Sequence, residues 1–218
     1  MAHLAQLPQA LSAPPKRWSW ISALLWWLML LLSIAVVVYG ASYFLATPDD
    51  PHFARYILPL RLHIAGGMGA LLAGPWQFSS QLRARALNLH RWLGRFYLLE
   101  VALGSVAGFA MALVSVEGLP THLGFGILAV LWFLTGLQAY RMVRRGNINA
   151  HRQWMIRNFA LTLAAVTLRV QLPLMLAILQ WPFPRAYIIV SWLCWIPNLL
   201  IAEWMVRRQM RHLVQSGS

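Results

Sequence analysis

Six apolar stretches, roughly 18–46, 57–79, 90–116, 120–143, 154–180 and 184–206, take up most of this 218-residue sequence. Each is long enough to cross a hydrocarbon core of about 30 Å as a helix rising 1.5 Å per residue. Only short connections separate them, so no room is left for a soluble domain between spans. With 60% hydrophobic and 11% charged residues, the chain lacks the polar surface that a water-soluble fold needs. The expected fold is all-α: a polytopic membrane protein of six transmembrane helices, with spans 2–5 as a four-helix core. Residues 1–17, with Pro8, Pro14 and Pro15, read as a disordered tail, 18–206 as the membrane domain and 207–218 as a basic tail. The first span is too long for a secretory signal and lacks a clear cleavage site, so it is expected to remain as an anchor.

The net charge of +13 does not describe a nucleic-acid surface, because the basic residues alternate with the spans. Lys16 and Arg17, then Arg83, Arg85, Arg91 and Arg95, then Arg141, Arg144, Arg145, Arg152 and Arg157, then Arg207, Arg208 and Arg211 fall on one side. Asp49, Asp50 and Glu117 fall on the other, with Arg55, Arg61 and Arg185 near them. Positively charged loops are retained in the cytoplasm, so the expected location is the cell inner membrane with both termini inside. Cys194 is the only cysteine and lies within an apolar run, which excludes an intrachain disulfide and any thiolate zinc or thioether haem site.

Four of the seven histidines sit at matched ends of successive spans. His63 and His122 enter spans 2 and 4 from the outer side; His90 and His151 open spans 3 and 5 from the inner side. At 100° per residue, His63 shares a face with Gly66, Gly67, Ala70, Gly74 and Gln77, and His122 with Gly126, Ala129, Phe133, Gly136 and Tyr140. The His90 face carries Gly94, Tyr97, Val101, Gly104 and Gly108; the His151 face carries Met155, Asn158, Thr162, Ala165 and Arg169. Small residues on such stripes also let membrane helices pack closely without a ligand. Ionisable groups inside a bundle are costly and mark function, and here they form two same-depth pairs, the pattern of two haems held one above the other. His3, His52 and His212 lie outside the spans and are read as interfacial.

A short internal repeat, His63-Ile-Ala-Gly-Gly with His122-Leu-Gly-Phe-Gly and His90-Arg-Trp-Leu with His151-Arg-Gln-Trp, is offset by 59 and 61 residues. A helix pair repeated by rotation about the membrane normal would set span 2 opposite span 4 and span 3 opposite span 5.

Along residues 60–175 the chain resembles a family of bacterial predicted membrane proteins (domain of unknown function 2306). Gly74-Pro75-Trp76-Gln77-Phe78, His90-Arg91-Trp92-Leu93-Gly94-Arg95 and His151-Arg152-Gln153-Trp154-Met155-Ile156-Arg157 carry the resemblance. In layout, the six spans and four histidines are similar to the cytochrome b-561 superfamily, whose members hold two bis-histidine haems b and pass electrons across membranes. That similarity implies iron ligation by His63 with His122 and by His90 with His151, and an electron-transfer oxidoreductase whose donor and acceptor are unspecified. The sequence has no recognisable ascorbate-binding motif.

Arg91 and Arg152 directly follow the inner histidines and could anchor haem propionates, though the positive-inside rule also accounts for them. Arg169 lies about 27 Å along the axis from His151 on the same face, at outer-haem depth. Its expected partner is a propionate or Glu100, which is about 15 Å into span 3 and turned about 80° from the His90 stripe; Glu100 could accept a proton in a coupled reaction or neutralise Arg169, and of these two roles the structural one is slightly favoured. Glu203 is expected to pair with nearby arginines, and Pro173 and Pro197 to kink spans 5 and 6. A haem-free transporter or channel, with the histidines and Arg169 lining a path for protons or an anion, is the alternative.

Overall fold

The computed structural model describes residues 20–45 and 51–215, all helix, turn or short connection. The Lys16, Arg17, Asp49 and Asp50 assignments and the N-terminal tail lie outside the described residues. Six helices are long and apolar enough to cross a membrane. Span 1 is α1 (Trp20–Leu45), span 2 α3 (Ile57–Gln77), span 3 α5 (Leu87–Ala112) and span 4 α6 (Leu119–Arg144). Span 5 is broken into α7 (Ile148–Thr162) and α8 (Ala164–Ala177), and span 6 into α9 (Phe183–Leu193) and α10 (Ile196–Gln215). Two short helices, α2 (Pro51–Arg55) and α4 (Ser80–Arg85), lead into spans 2 and 3.

Local chemistry sets the ends. The Asn147 side chain accepts from Ala150 N–H at 3.0 Å, which starts α7 six residues before the apolar run and places His151 in its first turn. Gly146 precedes it with φ +74°, a left-handed conformation that ends α6 and that glycine adopts without strain. Gly118, at φ +69° and ψ −153°, occupies a region essentially reserved for glycine and turns the chain into α6. Pro197 cannot donate to the Leu193 carbonyl, and span 6 breaks there, at Cys194–Trp195. Pro173 does not break span 5: α8 runs through it, and the interruption falls at Leu163. The Thr162 hydroxyl bonds the Asn158 carbonyl and the Thr167 hydroxyl bonds the Leu163 carbonyl, so side chains compete for the helix's own acceptors on both sides of the break. α10 continues through Arg207, Arg208 and Arg211, so the segment beyond 206 extends the last helix to Gln215.

Polarity is arranged for lipid. Leu24, Leu28, Leu31, Val38, Leu99, Val106 and Leu200 are exposed, while Ser33, Ser105, Thr121, Thr135, Asn158, Thr162 and Ser191 are buried. Lipid tails are as apolar as leucine, so burying leucine between helices gains little, and close backbone approach with internal hydrogen bonds takes over. The closest approach is at Gly66 of α3 and Gly104 of α5: a Cβ on Gly66 would lie 2.5 Å from Gly104 N and 2.7 Å from the Glu100 carbonyl. α3 packs on α5, α5 on α6, α6 on α7, and α7 returns to α3. This ring sets span 2 across from span 4 and span 3 across from span 5. α1 lies outside it against α3 and α8, and α9 against α6 and α8.

Candidate functional site

The ring is fastened near mid-depth by a polar network joining α5, α6 and α7. Tyr97, buried completely, donates to Asn158 Oδ1 at 2.6 Å, and its hydroxyl lies 2.9 Å from Thr162 Oγ1. Trp132 Nε1 donates to Thr162 Oγ1 at 2.9 Å. Asn158 Nδ2 donates to the Trp132 carbonyl at 2.7 Å and to Thr135 Oγ1 at 2.8 Å; Thr135 in turn donates to the Leu131 carbonyl at 2.7 Å. No donor in the group is left over, which is the condition for a buried polar cluster to hold one arrangement. Tyr97, Asn158 and Thr162 stood on the two inner histidine stripes; Trp132 and Thr135 were not foreseen.

The histidines lie at two levels on either side of this network, His63 on α3 and His122 on α6, His90 on α5 and His151 on α7. His63 Nδ1 is 2.8 Å from the Gly104 carbonyl, and His151 Nδ1 is 2.9 Å from the Ala139 carbonyl. A carbonyl only accepts, so Nδ1 carries the proton in both, and a ring with a single proton has its lone pair at Nε2. The His63 ring fits because Gly108 has no side chain; a Cβ there would lie 2.7 Å from Nδ1. His122 is turned to its own connection, with Nε2 donating to the Ser115 carbonyl at 2.9 Å. His63 bonds to α5 and lines the interior cavity, whereas His122 bonds at the α5–α6 connection and does not line it. At the other level, His90 Nδ1 is buried without a partner, and His151, Arg83 and Arg91 lie within electrostatic range of it.

A cavity of about 270 Å³ opens beside His63. Gly67, Gly104 and Gly108 give it a flat side, Phe125, Leu128 and Trp132 an apolar one, and Arg169 a cation. A Cβ on Gly67 would meet nothing within 4 Å, so this glycine faces open space. Arg169 does not pair with Glu100. Its Nη1 donates to the Ala165 carbonyl at 3.1 Å, its guanidinium lies 5.3 Å from the Tyr39 ring centroid on α1, and its Nε is buried without an acceptor. Glu100 instead packs over Gly69 of α3, where a Cβ would fall 2.8 Å from its Oε2. The two point to different neighbours because α5 turns Glu100 toward α3, whereas α8 turns Arg169 toward α1 and the cavity.

Arg91 and Arg152 are both exposed at the arginine-rich end. Glu203 pairs with Arg157 at 2.7 Å and Arg207 at 2.9 Å, tying α10 to α7. The interfacial tryptophans take up further arginines one turn on: Arg95 over Trp92, Arg157 over Trp154, Arg185 over Trp181 and Arg208 over Trp204, at 4.7–5.5 Å. Among the described residues no group of three or more His, Cys, Asp or Glu converges on one point.

Six apolar helices around a small-residue interior define a polytopic α-helical membrane protein. The chain belongs to the family described as Predicted membrane protein (DUF2306), which matches residues 60–206, from span 2 into α10. No curated protein and no solved structure matches it.

Proposed function

We infer that this protein is a b-type cytochrome of two haems that passes electrons across the membrane, similar in layout to the cytochrome b-561 superfamily. The observation that carries this reading is the bonding of His63 and His151. Each donates its Nδ1 proton to a backbone carbonyl of the neighbouring helix and keeps Nε2 free, the arrangement that fixes the tautomer of a metal-ligating histidine. His63 does this at the edge of a cavity with a glycine wall and an arginine whose Nε lacks an acceptor. At about 270 Å³ the cavity lies just below the range of about 300–1,000 Å³ for small-molecule and cofactor sites.

At the far level, His63 and Arg169 would hold the cofactor from two sides, and His122 would become a ligand by exchanging the Ser115 carbonyl for iron. At the arginine-rich level, His90 and His151, which lie within electrostatic range of each other, would be the ligand pair, with Arg91 beside His90 to meet a propionate. Bis-imidazole haem relays single electrons and leaves no position open for oxygen. The protein's own part is to fix the rings, exclude water and neutralise carboxylates at two depths. The arginine-rich face is assigned to the cytoplasm and the chain to the inner membrane, on the positive-inside rule.

The test is the reduced-minus-oxidised spectrum and haem content of protein purified from haem-sufficient membranes. A b-type band is expected, with His63→Ala and His151→Ala each losing about half of the haem. Wild-type protein that stays colourless sinks the reading.

A further inference from the structure

The connection between spans 2 and 3 holds a group of cations without a counter-ion. The Ser79 hydroxyl caps α4, accepting from Leu82 N–H at 3.2 Å, and so folds the chain back until Arg83 Nη1 donates to the Gln77 carbonyl at 2.9 Å. Gln77 is 8% exposed; its Oε1 lies over Gly94, where a Cβ would be 3.0 Å away, and its Nε2 is buried with no acceptor. His90, one turn before Gly94, has the second buried orphan nitrogen. Arg83 and Arg91 flank it, and Arg152 lies near Arg83. Burial, and then the Arg152 charge, pull the Arg83 guanidinium below its ordinary value.

Nothing acidic answers these charges among the described residues. Glu203 is taken by Arg157 and Arg207, Glu100 lies deep in α5 against Gly69, and Glu117 is at the opposite end. A buried amide donor without an acceptor, beside guanidinium groups that have no carboxylate partner, calls for an anion with several oxygens, and a phosphate fits the arginine fork. α4 lies at the level where span ends meet headgroups, and its neighbours in sequence, Trp76, Leu87, Leu89 and Trp92, are apolar and exposed. A ligand here has apolar surface alongside its anionic site, as basic recesses between transmembrane helices offer to lipids.

We propose that Arg83, Arg152 and Gln77 form a phosphate site at the arginine-rich end of α3, α4, α5 and α7, and that its ligand is the headgroup of an anionic phospholipid. The site does not depend on the haem reading. It closes the ring from outside, supplying the negative charge that the described residues do not place there.

The test is thermal unfolding of the purified full-length protein in detergent, with added phosphatidylglycerol, phosphatidylcholine or inorganic phosphate at equal concentration, and haem content recorded for each variant. Phosphatidylglycerol is expected to raise Tm by several degrees and the other two to have little effect. Arg83→Gln and Arg152→Gln should each remove most of that rise, and Arg145→Gln, at an exposed arginine of the same end, should keep it. If Arg83→Gln does not fold, Arg83→Lys retains charge without the fork and should bind fewer copies of the lipid by native mass spectrometry. Equal stabilisation by phosphatidylcholine, an undiminished rise or lipid count in the Arg83 variants, or inorganic phosphate working as well as the lipid overturns the proposal. So does a loss of haem from Arg83→Gln with the lipid response intact, which would make the anion a propionate.

Discussion

Adjacent glycines on α3 should respond oppositely to the same methyl group. At Gly66, a Cβ would sit 2.5 Å from Gly104 N, 2.6 Å from Gly104 Cα and 2.7 Å from the Glu100 carbonyl. Those contacts are about 1 Å short of ordinary van der Waals distance, and all three atoms belong to the α5 backbone, so no rotamer change relieves them. α3 and α5 must separate, and a gap of about 0.5–1 Å forfeits a quarter to a half of each dispersion contact along the seam. Overpacking typically costs about 1–3 kcal/mol, and a rigid backbone obstacle places Gly66→Ala at the upper end. Alanine's better helix propensity returns about 1 kcal/mol, leaving a net loss of about 2 kcal/mol. Gly67→Ala has the same propensity gain and no clash, so it should be neutral or slightly stabilising. Unfolding in mixed micelles of increasing denaturing detergent measures both. If Gly66→Ala is as stable as Gly67→Ala, the α3–α5 seam described above is wrong.

A larger group at the second position tests the cavity: Gly67→Phe should fold normally and lose the haem of the far level, and unchanged haem content would remove that cavity from the cofactor site. Asn158→Ala breaks three interhelical bonds worth about 0.6 kcal/mol each, so a loss of about 2 kcal/mol is expected, with Tyr97→Phe contributing non-additively in a double-mutant cycle. Arg169→Gln and Glu100→Gln should be additive within about 0.5 kcal/mol, because the two side chains have separate neighbours; a compensating double mutant would instead reveal a pair. With the buried Cys194 replaced by Ala, a cysteine at Glu117 should be labelled by an impermeant reagent in intact cells and one at Arg145 should not; the reverse pattern inverts the assigned orientation.

The spans could be read from the sequence because membrane thickness fixes a length that about 20 apolar residues must meet. The span 2 to span 4 and span 3 to span 5 oppositions, expected from a repeat of a few residues, are those of the helix ring. What could not be read depends on which atoms face each other. The His63 acceptor is a backbone carbonyl on α5, and the acceptor for Asn158 is the Trp132 carbonyl; side-chain patterns carry no trace of either. Arg169 was offered Glu100 because a cation inside the bundle needs a counter-charge, and that need does not say toward which helix a residue turns. The break at Leu163 was missed for a related reason: Pro173 is visible in a sequence, whereas competition by Thr162 and Thr167 for helix carbonyls depends on their rotamers.

The fit between His63 and Gly108 also limits the order in which this sequence can change. A side chain at 108 would occupy the place of the imidazole, so the glycine cannot be replaced while the histidine keeps its bond to Gly104. Loss of His63, by contrast, leaves position 108 free to take up alanine or serine afterwards. Substitution is therefore easier in one order: descendants of such a chain should include some that have lost the histidine and kept the glycine, and some that have lost both, whereas replacing the glycine first forces the imidazole to shift from its bond to Gly104.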